Sequence, residues 1–391
     1  MKQLRRTWVE IDLDAIAHNY QIIKNRVGDG VKIMAIVKAN AYGHGSERVA
    51  PLLESCGADW FGVSNINEAI TLRKSGVTRP ILILGYTPLE NVRDLFDFNI
   101  TQTLLDADYA EGLAAAARAE GVIVDAHIAL DTGMNRIGFR SGVDLDDDEL
   151  HALLSRLCYM PSMRVTGIFT HFAVADEYTP AGAAYTAMQH DRFMRICNML
   201  TADAHELLIH CCNSAATLYD PQYHHSMVRP GIILYGCPPS GERDPNYPLK
   251  PAMKLVSVVE LLKTVKKGEK ISYGCTFEAP RDMTVATLPI GYADGLPRNL
   301  SNKGFVFANG RLAPIVGRIC MDQMMIDATG INLKVGDAIT IFGGDSPIEI
   351  ETVAKLAGTI NYELMCGISR RVQRIYYQNG EICAVDDYAT P

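Results

Sequence analysis

The chain has little that would mark it for a membrane, for nucleic acid or for an oxidising compartment. Its longest apolar stretches, such as Ile81–Leu84 and Ile232–Tyr235, fall far short of the roughly 18–20 residues a bilayer-crossing helix needs. The opening MKQLRRTWVE is charged and then alternating, without the continuous apolar stretch of a secretory signal. Positive charge is in deficit: 37 Lys and Arg stand against 45 Asp and Glu, a formal net charge of −8 in 391 residues. No basic block supplies the footprint that phosphate-backbone binding requires. Ten cysteines run from Cys56 to Cys383, yet no CxxC pair or C-x₂–₄-C…H spacing occurs, which argues against a disulfide framework and against zinc. Internal repeats and low-complexity segments are also missing. These absences predict a cytoplasmic protein that acts on a small molecule, with no nucleic acid, membrane or metal as partner.

What is present is ordinary globular composition, 48% hydrophobic and 21% charged, at a length that suits one large and one smaller domain. From about residue 30 to 235, short apolar runs alternate with stretches of helical period. Lys32–Val37, Trp60–Val63, Pro80–Leu84, Gln102–Leu105, Ile123–Leu130, Val165–Thr170, Leu207–Cys211 and Val228–Tyr235 read as buried strands. Between them, Gly45–Cys56, Ile66–Ser75, Leu89–Phe98, Ala107–Ala119, Asp146–Leu157, Ala181–Asp203 and Ala215–Tyr219 read as helices. Strand and helix alternating through eight strands predict an α/β fold, an eight-stranded parallel (β/α) barrel, with an open doubly wound sheet as the alternative.

After the Pro- and Gly-rich stretch CPPSGERDPNYP at 237–248 the texture changes to short β-branched runs, Leu255–Val265, Met283–Leu288, Arg311–Val316 and Ala338–Phe342, with one helix at Glu351–Ala357. This predicts a C-terminal all-β domain. Arg6–Leu13 also alternates like a strand. The expected division is residues 1–13 as a strand packing with the β domain, 14–240 as the barrel and 241–391 as the β domain.

In a parallel barrel the reacting groups sit at the C-terminal ends of the strands. The first strand ends in AIVKANAYGHG. A lysine that follows an apolar run is costly to hold charged, and a desolvated, neutral amine is what a Schiff base requires; a lysine that simply emerges into solvent is the alternative. This stretch resembles the cofactor-lysine motif of the alanine racemases, pyridoxal 5'-phosphate enzymes built from a barrel and a β domain. The resemblance continues in order through LDTGMNRIG (130–138), THFAVADE (170–177), HCCNSAATLY (210–219), VRPGIILYG (228–236), SYGCTF (272–277), LPIGYADGLPR (288–298), VGRICMDQMMID (316–327) and NYELMC (361–366). It covers essentially the whole chain.

The resemblance implies roles residue by residue. Lys38 binds the cofactor and works as a base on one face of the substrate Cα, with Tyr273 as the second base on the other face. Racemisation needs two, because a proton removed from one side must be returned from the opposite one. His171 and Arg229 match the network that makes the phenol of Tyr273 usable. Arg229 also faces the pyridine nitrogen of the cofactor, where a group that cannot accept a proton restrains side reactions such as transamination. Tyr42, Asn213, Ser214, Gly231, Ile232 and Tyr362 match the phosphate site. Arg136 and Met321 match the residues near the substrate carboxylate, and Tyr292 and Asp322 match an entrance that limits substrate size. Some members carry a carbamylated lysine seven positions before this arginine; the residue here is Ala129, so Asn135, an anion or water must position Arg136 instead.

A homodimer with shared sites is implied, Lys38 and Arg229 coming from one chain and Tyr273, Tyr292, Met321 and Asp322 from the other. The implied reaction interconverts L- and D-alanine and supplies D-alanine for peptidoglycan. Serine or broader racemisation is the nearest rival. Serine-racemising relatives tend to have asparagine where Tyr362 stands. A decarboxylase on the same barrel and a non-enzymatic pyridoxal-phosphate carrier are the other readings; Tyr273 argues against the first and the extra domain against the second.

Overall fold

The computed structural model describes residues 6–140, 145–203 and 205–386. The first strand, β1 (Thr7–Asp12), leads into the helix Leu13–Val27, whose first turn is capped by Asp12 accepting from the Ala15 N–H at 2.9 Å. Eight parallel strands follow: β2 (Lys32–Ile36), β3 (Trp60–Val63), β4 (Ile81–Ile83), β5 (Ile100–Leu104), β6 (Val124–Asp131), β7 (Met163–Phe169), β8 (Leu208–His210) and β9 (Met227–Val228). β2 to β8 pair in this order, and β9 pairs with β2, Met227 opposite Lys32. The seam between β8 and β9 is held by Ser226 N–H donating to Ile209 O and Arg229 N–H to Cys212 O, each at 3.0 Å. The result is a nearly closed barrel.

Helices between the strands begin where short polar side chains accept a first-turn N–H: Asn65, Asp106, Asp146, Thr179 and Asn213 each cap a helix this way. Apolar residues of strands and helices form one continuous core through the barrel and into the β domain. Among the described residues, no helix is long and apolar enough to cross a membrane.

The eighth strand is shorter than the apolar run predicts. Only Met227–Val228 pairs as strand, and Ile232–Tyr235 forms a 3₁₀ turn instead. Pro230 has no N–H to give a ladder, and Gly231 N–H is diverted to Ser214 Oγ at 2.9 Å. The run is fully buried all the same, so its apolar character reflects burial rather than extension. Likewise Leu255–Val265 is two strands, Met253–Val258 and Leu261–Val265. The helices Leu13–Val27 and Asn361–Gly367 were not among the expected elements.

The β domain is built on a seven-stranded sheet in which β1 is interior. It pairs antiparallel with Met253–Val258, Thr7 opposite Ser257, and parallel with Gln373–Gln378, Trp8 opposite Gln373. The helix Asn361–Gly367 packs against the turn that follows β2, which brings Tyr362 and Cys366 to the barrel mouth.

Candidate active site

Lys38 follows β2 on a backbone of unusual hand. Ala39, Asn40, Ala41 and Tyr42 have φ of 52, 54, 53 and 52°, a left-handed turn made of residues with a Cβ, which costs roughly 1–2 kcal/mol per residue. Surrounding groups hold it. Glu68 Oε1 accepts from Ala39 N–H at 2.8 Å, Asn40 Oδ1 accepts from Ser46 N–H at 2.9 Å, and His44 Nδ1 lies 3.0 Å from the carbonyls of both Ala41 and Tyr42. Gly43 closes the turn at φ 81°, and a Cβ there would stand 2.2 Å from Met365 O, so only glycine permits this approach. The turn directs Lys38 and Tyr42 into a cavity of about 620 Å³ at the barrel mouth, within the size range of cofactor sites. Burial and the nearby Arg136 lower the Lys38 amine from its ordinary value, with Glu68 opposing.

Arg229 is 4% exposed and surrounded by neutral acceptors. Its Nη1 donates to His210 O and to His210 Nδ1, both at 2.9 Å; its Nη2 donates to Thr170 O at 2.7 Å, Cys211 O at 3.1 Å and His171 Nδ1 at 3.3 Å. The guanidinium also lies over the Phe169 ring, 5.3 Å from its centroid. Burial lowers Arg229 to about 10, and burial together with Arg229 holds His171 well below the usual imidazole range. A neutral His171 accepting from Arg229 therefore keeps its proton on Nε2.

At another wall of the cavity stand Ser214, Gly231, Tyr42 and Tyr362. Ser214 opens the helix Ser214–Tyr219 capped by Asn213, its Oγ accepting from Gly231 N–H. Tyr42 sits 4.9 Å from Tyr235 and 5.9 Å from Tyr362, ring to ring. A Cβ on Gly231 would lie 2.6 Å from the Tyr42 hydroxyl. Hydroxyls, a helix start and glycine backbone suit a bound anion. Ile232 is buried and does not line the cavity.

Arg136 lies on the loop after β6 and also lines the cavity, together with Ala129. Its backbone is braced by Asp131, whose carboxylate accepts N–H bonds from Gly133, Asn135 and Arg136 at 3.0, 2.9 and 3.1 Å. Asn135 adopts φ 54° within that loop.

Nine expected residues thus meet in one cavity: Lys38, Tyr42, Arg136, His171, Asn213, Ser214, Arg229, Gly231 and Tyr362. Besides Ile232, four do not line it. Tyr273, Tyr292, Met321 and Asp322 lie in the β domain, where Tyr273 is 69% exposed and Met321 53%. Tyr292 N–H donates to Cys320 O at 3.1 Å and Ala293 N–H to Met321 O at 3.0 Å, while Arg371 ties Asp322 to buried Asp294 at 2.7 and 2.8 Å. Sequence reasoning missed Glu68, Asp131, His210 and Cys366. Asp131, directly after the predicted strand Ile123–Leu130, and His210, next to last in Leu207–Cys211, carried a signal by position.

Residues 11–239 match the family model of the alanine racemase N-terminal domain and residues 252–376 that of the C-terminal domain. Alanine racemase 1 of Clostridium acetobutylicum is 44% identical over 392 residues, covering 99% of both chains. Among solved structures, an alanine racemase of Clostridium difficile superimposes with a TM-score of 0.92 at 39% identity, over 99% of this chain and 100% of that one. One from Bacillus anthracis with bound L-Ala-P gives 0.92 at 37%, over 100% and 99%. With both halves matched and the whole length aligned, the chain belongs to the alanine racemase family.

Proposed function

We propose that this enzyme interconverts L- and D-alanine with pyridoxal 5'-phosphate by a two-base mechanism, in a homodimer whose sites are shared. The observation that carries the reading is one cavity holding a desolvated lysine, a buried arginine without a carboxylate partner among its hydrogen bonds, and a cluster of hydroxyls and glycine backbone. This donor set fits the cofactor. Lys38 would hold its aldehyde carbon, Arg229 would face its ring nitrogen, and Tyr42, Asn213, Ser214, Gly231 and Tyr362 would surround its phosphate, with Ile232 buried behind Gly231. When bound, the group supplies a conjugated electron-withdrawing system that acidifies the Cα–H of the amino acid attached to it.

The protein's own part is proton handling. Lys38, its basicity lowered by burial, takes or returns the proton on one face of Cα. Tyr273 of the partner subunit serves the other face, and without two such groups the product would keep the starting hand. Arg229 donates and cannot be deprotonated at working pH, so it offers the ring nitrogen no proton to keep. His171, held by Arg229 with its proton on Nε2, is the donor available to that tyrosine. Arg136 orients the substrate carboxylate through its planar fork, with the backbone N–H of Met321 of the partner subunit, while Tyr292 and Asp322 of the partner subunit narrow the entrance. We place the domain limits at residues 1–13, 14–240 and 241–391, the first packing with the last. The setting is the cytoplasm, and the D-alanine made there serves peptidoglycan.

Incubating the pyridoxal-loaded protein with L-alanine and, separately, L-serine, followed by chiral analysis, tests this. D-alanine is expected, with slower serine turnover, since a small pocket rejects one added hydroxyl poorly. Serine turned over faster than alanine, or carbon dioxide released in place of D-alanine, would overturn the reading.

A further inference from the structure

Behind Arg229, inside the barrel, lies a chain of polar side chains for which the mechanism above has no use. Arg229 Nη1 meets His210 Nδ1 at 2.9 Å, and His210 Nε2 meets His127 Nδ1 at 3.0 Å. All three side chains are buried. A guanidinium has donors and no acceptor, and that fact settles each proton in turn. His210 Nδ1 must accept, so a neutral His210 carries its proton on Nε2 and donates it to His127 Nδ1. His127 must then carry its own proton on Nε2.

There the chain stops, because His127 Nε2 meets no acceptor among the described residues; the nearest ring is Trp60, 5.1 Å away between centroids. A buried N–H left in this state is costly and rare in native proteins. Neither imidazole escapes by charging. Protonating His127 on Nδ1 would set two donors face to face, and burial with Arg229 nearby takes His127 down to about 3 and His210 well below its usual range. The barrel also makes room for the unpartnered ring: a Cβ on Gly167 would lie 2.6 Å from a His127 ring carbon.

We propose that His127 is a positioning residue for Arg229, acting through His210: it holds the His210 ring in one tautomer and one orientation, so that the guanidinium keeps one edge on His171 and the other on His210. Without an acceptor at His127 Nδ1, the His210 ring loses the bond that prevents its half-turn, and a turned ring offers Arg229 a carbon instead of a lone pair. The proposal rests on the reading that Arg229 and His171 serve the reaction. His171 is the titrating group that would feel the change; Arg229, Arg136 and Lys38 face it, and Cys211 and Cys212 face Arg229 from behind.

Two substitutions separate the acceptor from the space it fills. H127N sets an amide oxygen where Nδ1 stood, with its NH2 turned to the side where Nε2–H was unpartnered; H127L offers no acceptor. In ¹⁵N-histidine-labelled full-length protein, with and without pyridoxal 5'-phosphate, His210 is expected to show protonated Nε2 and bare Nδ1 between about pH 6 and 9, in the parent and in H127N, and averaged tautomers in H127L. A protonated Nδ1 in the parent, or an unchanged single tautomer in H127L, overturns the proposal. In the loaded enzyme, H127L is expected to lose about tenfold in kcat with a displaced pH profile and to bind alanine with unchanged KM, and H127N to restore the parent's profile. A profile in H127L that overlays the parent's also overturns it. The resonances do not depend on racemisation, so failure of the functional reading would leave the tautomer result standing and is told apart from failure of the relay.

Discussion

The barrel mouth and the β-domain cluster around Tyr273 carry the two halves of the same candidate chemistry, and they are built in opposite ways. At the mouth the central polar group is buried and held, although Arg136 stands exposed: Arg229 has five acceptors within 3.3 Å, and the turn beneath Lys38 is tied to Glu68, Asn40 and His44. In the β domain the backbone is equally fixed, with Ser272, Gly274 and Cys275 at φ 66, 71 and 49° around Tyr273. Yet the side chains of Tyr273, Tyr292 and Met321 stand exposed. A precisely held backbone presenting large exposed side chains is the anatomy of a surface made to meet something. In the proposed shared-site dimer that partner is a second copy of the chain, which would then be part of the chemistry rather than an accessory to it.

The sharpest way to break the comparison is to remove one half at a time. Lys38→Ala is expected to abolish racemisation, a loss of at least about 10⁴-fold, read as D-alanine formed per hour. Tyr273→Phe should be nearly as severe. If the halves belong to different chains, refolding the two inactive chains together at equal amounts gives one intact site in each mixed dimer, so about a quarter of wild-type activity returns. No recovery after verified subunit exchange would place both residues in one chain's site.

A smaller effect is expected at Gly43, the hinge between the two regions. Gly43→Ala combines φ 81° with a Cβ 2.2 Å from Met365 O, and should cost roughly 1–3 kcal/mol in urea unfolding. Because Met365 belongs to the helix that carries Tyr362 and Cys366, the variant should also weaken pyridoxal 5'-phosphate binding. Unchanged affinity would show that the turn and that helix move independently.

The two regions also differed in how much of them could be read beforehand. Lys38 and His171 follow predicted strands, so the barrel rule brings them to one end before any contact is known, whereas Arg229 falls inside the predicted run Val228–Tyr235 and reaches that end because the strand stops at Val228. The left-handed run at 39–42 was illegible: Ala, Asn, Ala and Tyr do not ask for φ near 50°, and only Glu68, His44 and Met365, distant or unremarked in sequence, make it the best choice. Carbonyls such as Thr170 O and Cys211 O could come from any residue type and leave no trace. His127 looked like one more residue of the apolar run Ile123–Leu130, and its meaning appears only when His210 and Gly167 stand beside it. Ile232–Tyr235 read as strand because buried apolar runs look alike in either state.

All ten histidines lie between His18 and His225, so the β domain has none, and this sets the regions apart in acid. Burial lowers His44 to about 4 and His127 to about 3, and holds His171 and His210 well below the ordinary range. Unfolded imidazoles titrate near ~6.5, so below that pH the unfolded chain binds more protons than the folded one. These groups thus favour the folded state fully above about 6.5 and ever less as pH falls toward their folded values. Between about pH 6 and 5, removing one of them, as in H127N, should flatten the slope by one proton, about 1.4 kcal/mol per pH unit. Hydrogen exchange should show the loss in barrel amides first. Equal loss in the β domain would mean that the two regions unfold as one.

The mildest expected effect tests whether the exposed half is held as firmly as its backbone suggests. Arg371 joins Asp294, whose side chain has no exposed surface, to Asp322 on the neighbouring loop, and Arg6 also reaches Asp294, at 3.1 Å. Arg371→Ala leaves that second arginine in place, so Asp294 keeps a partner and the fold should survive with a small loss of stability. What it releases is the loop of Met321 and Asp322. Since that loop would serve substrate binding rather than proton transfer, KM for alanine should rise about three- to tenfold with kcat little changed. A fall in kcat at constant KM would instead place the loop's contribution in the chemical step, and would make the exposed half as demanding of geometry as the buried one.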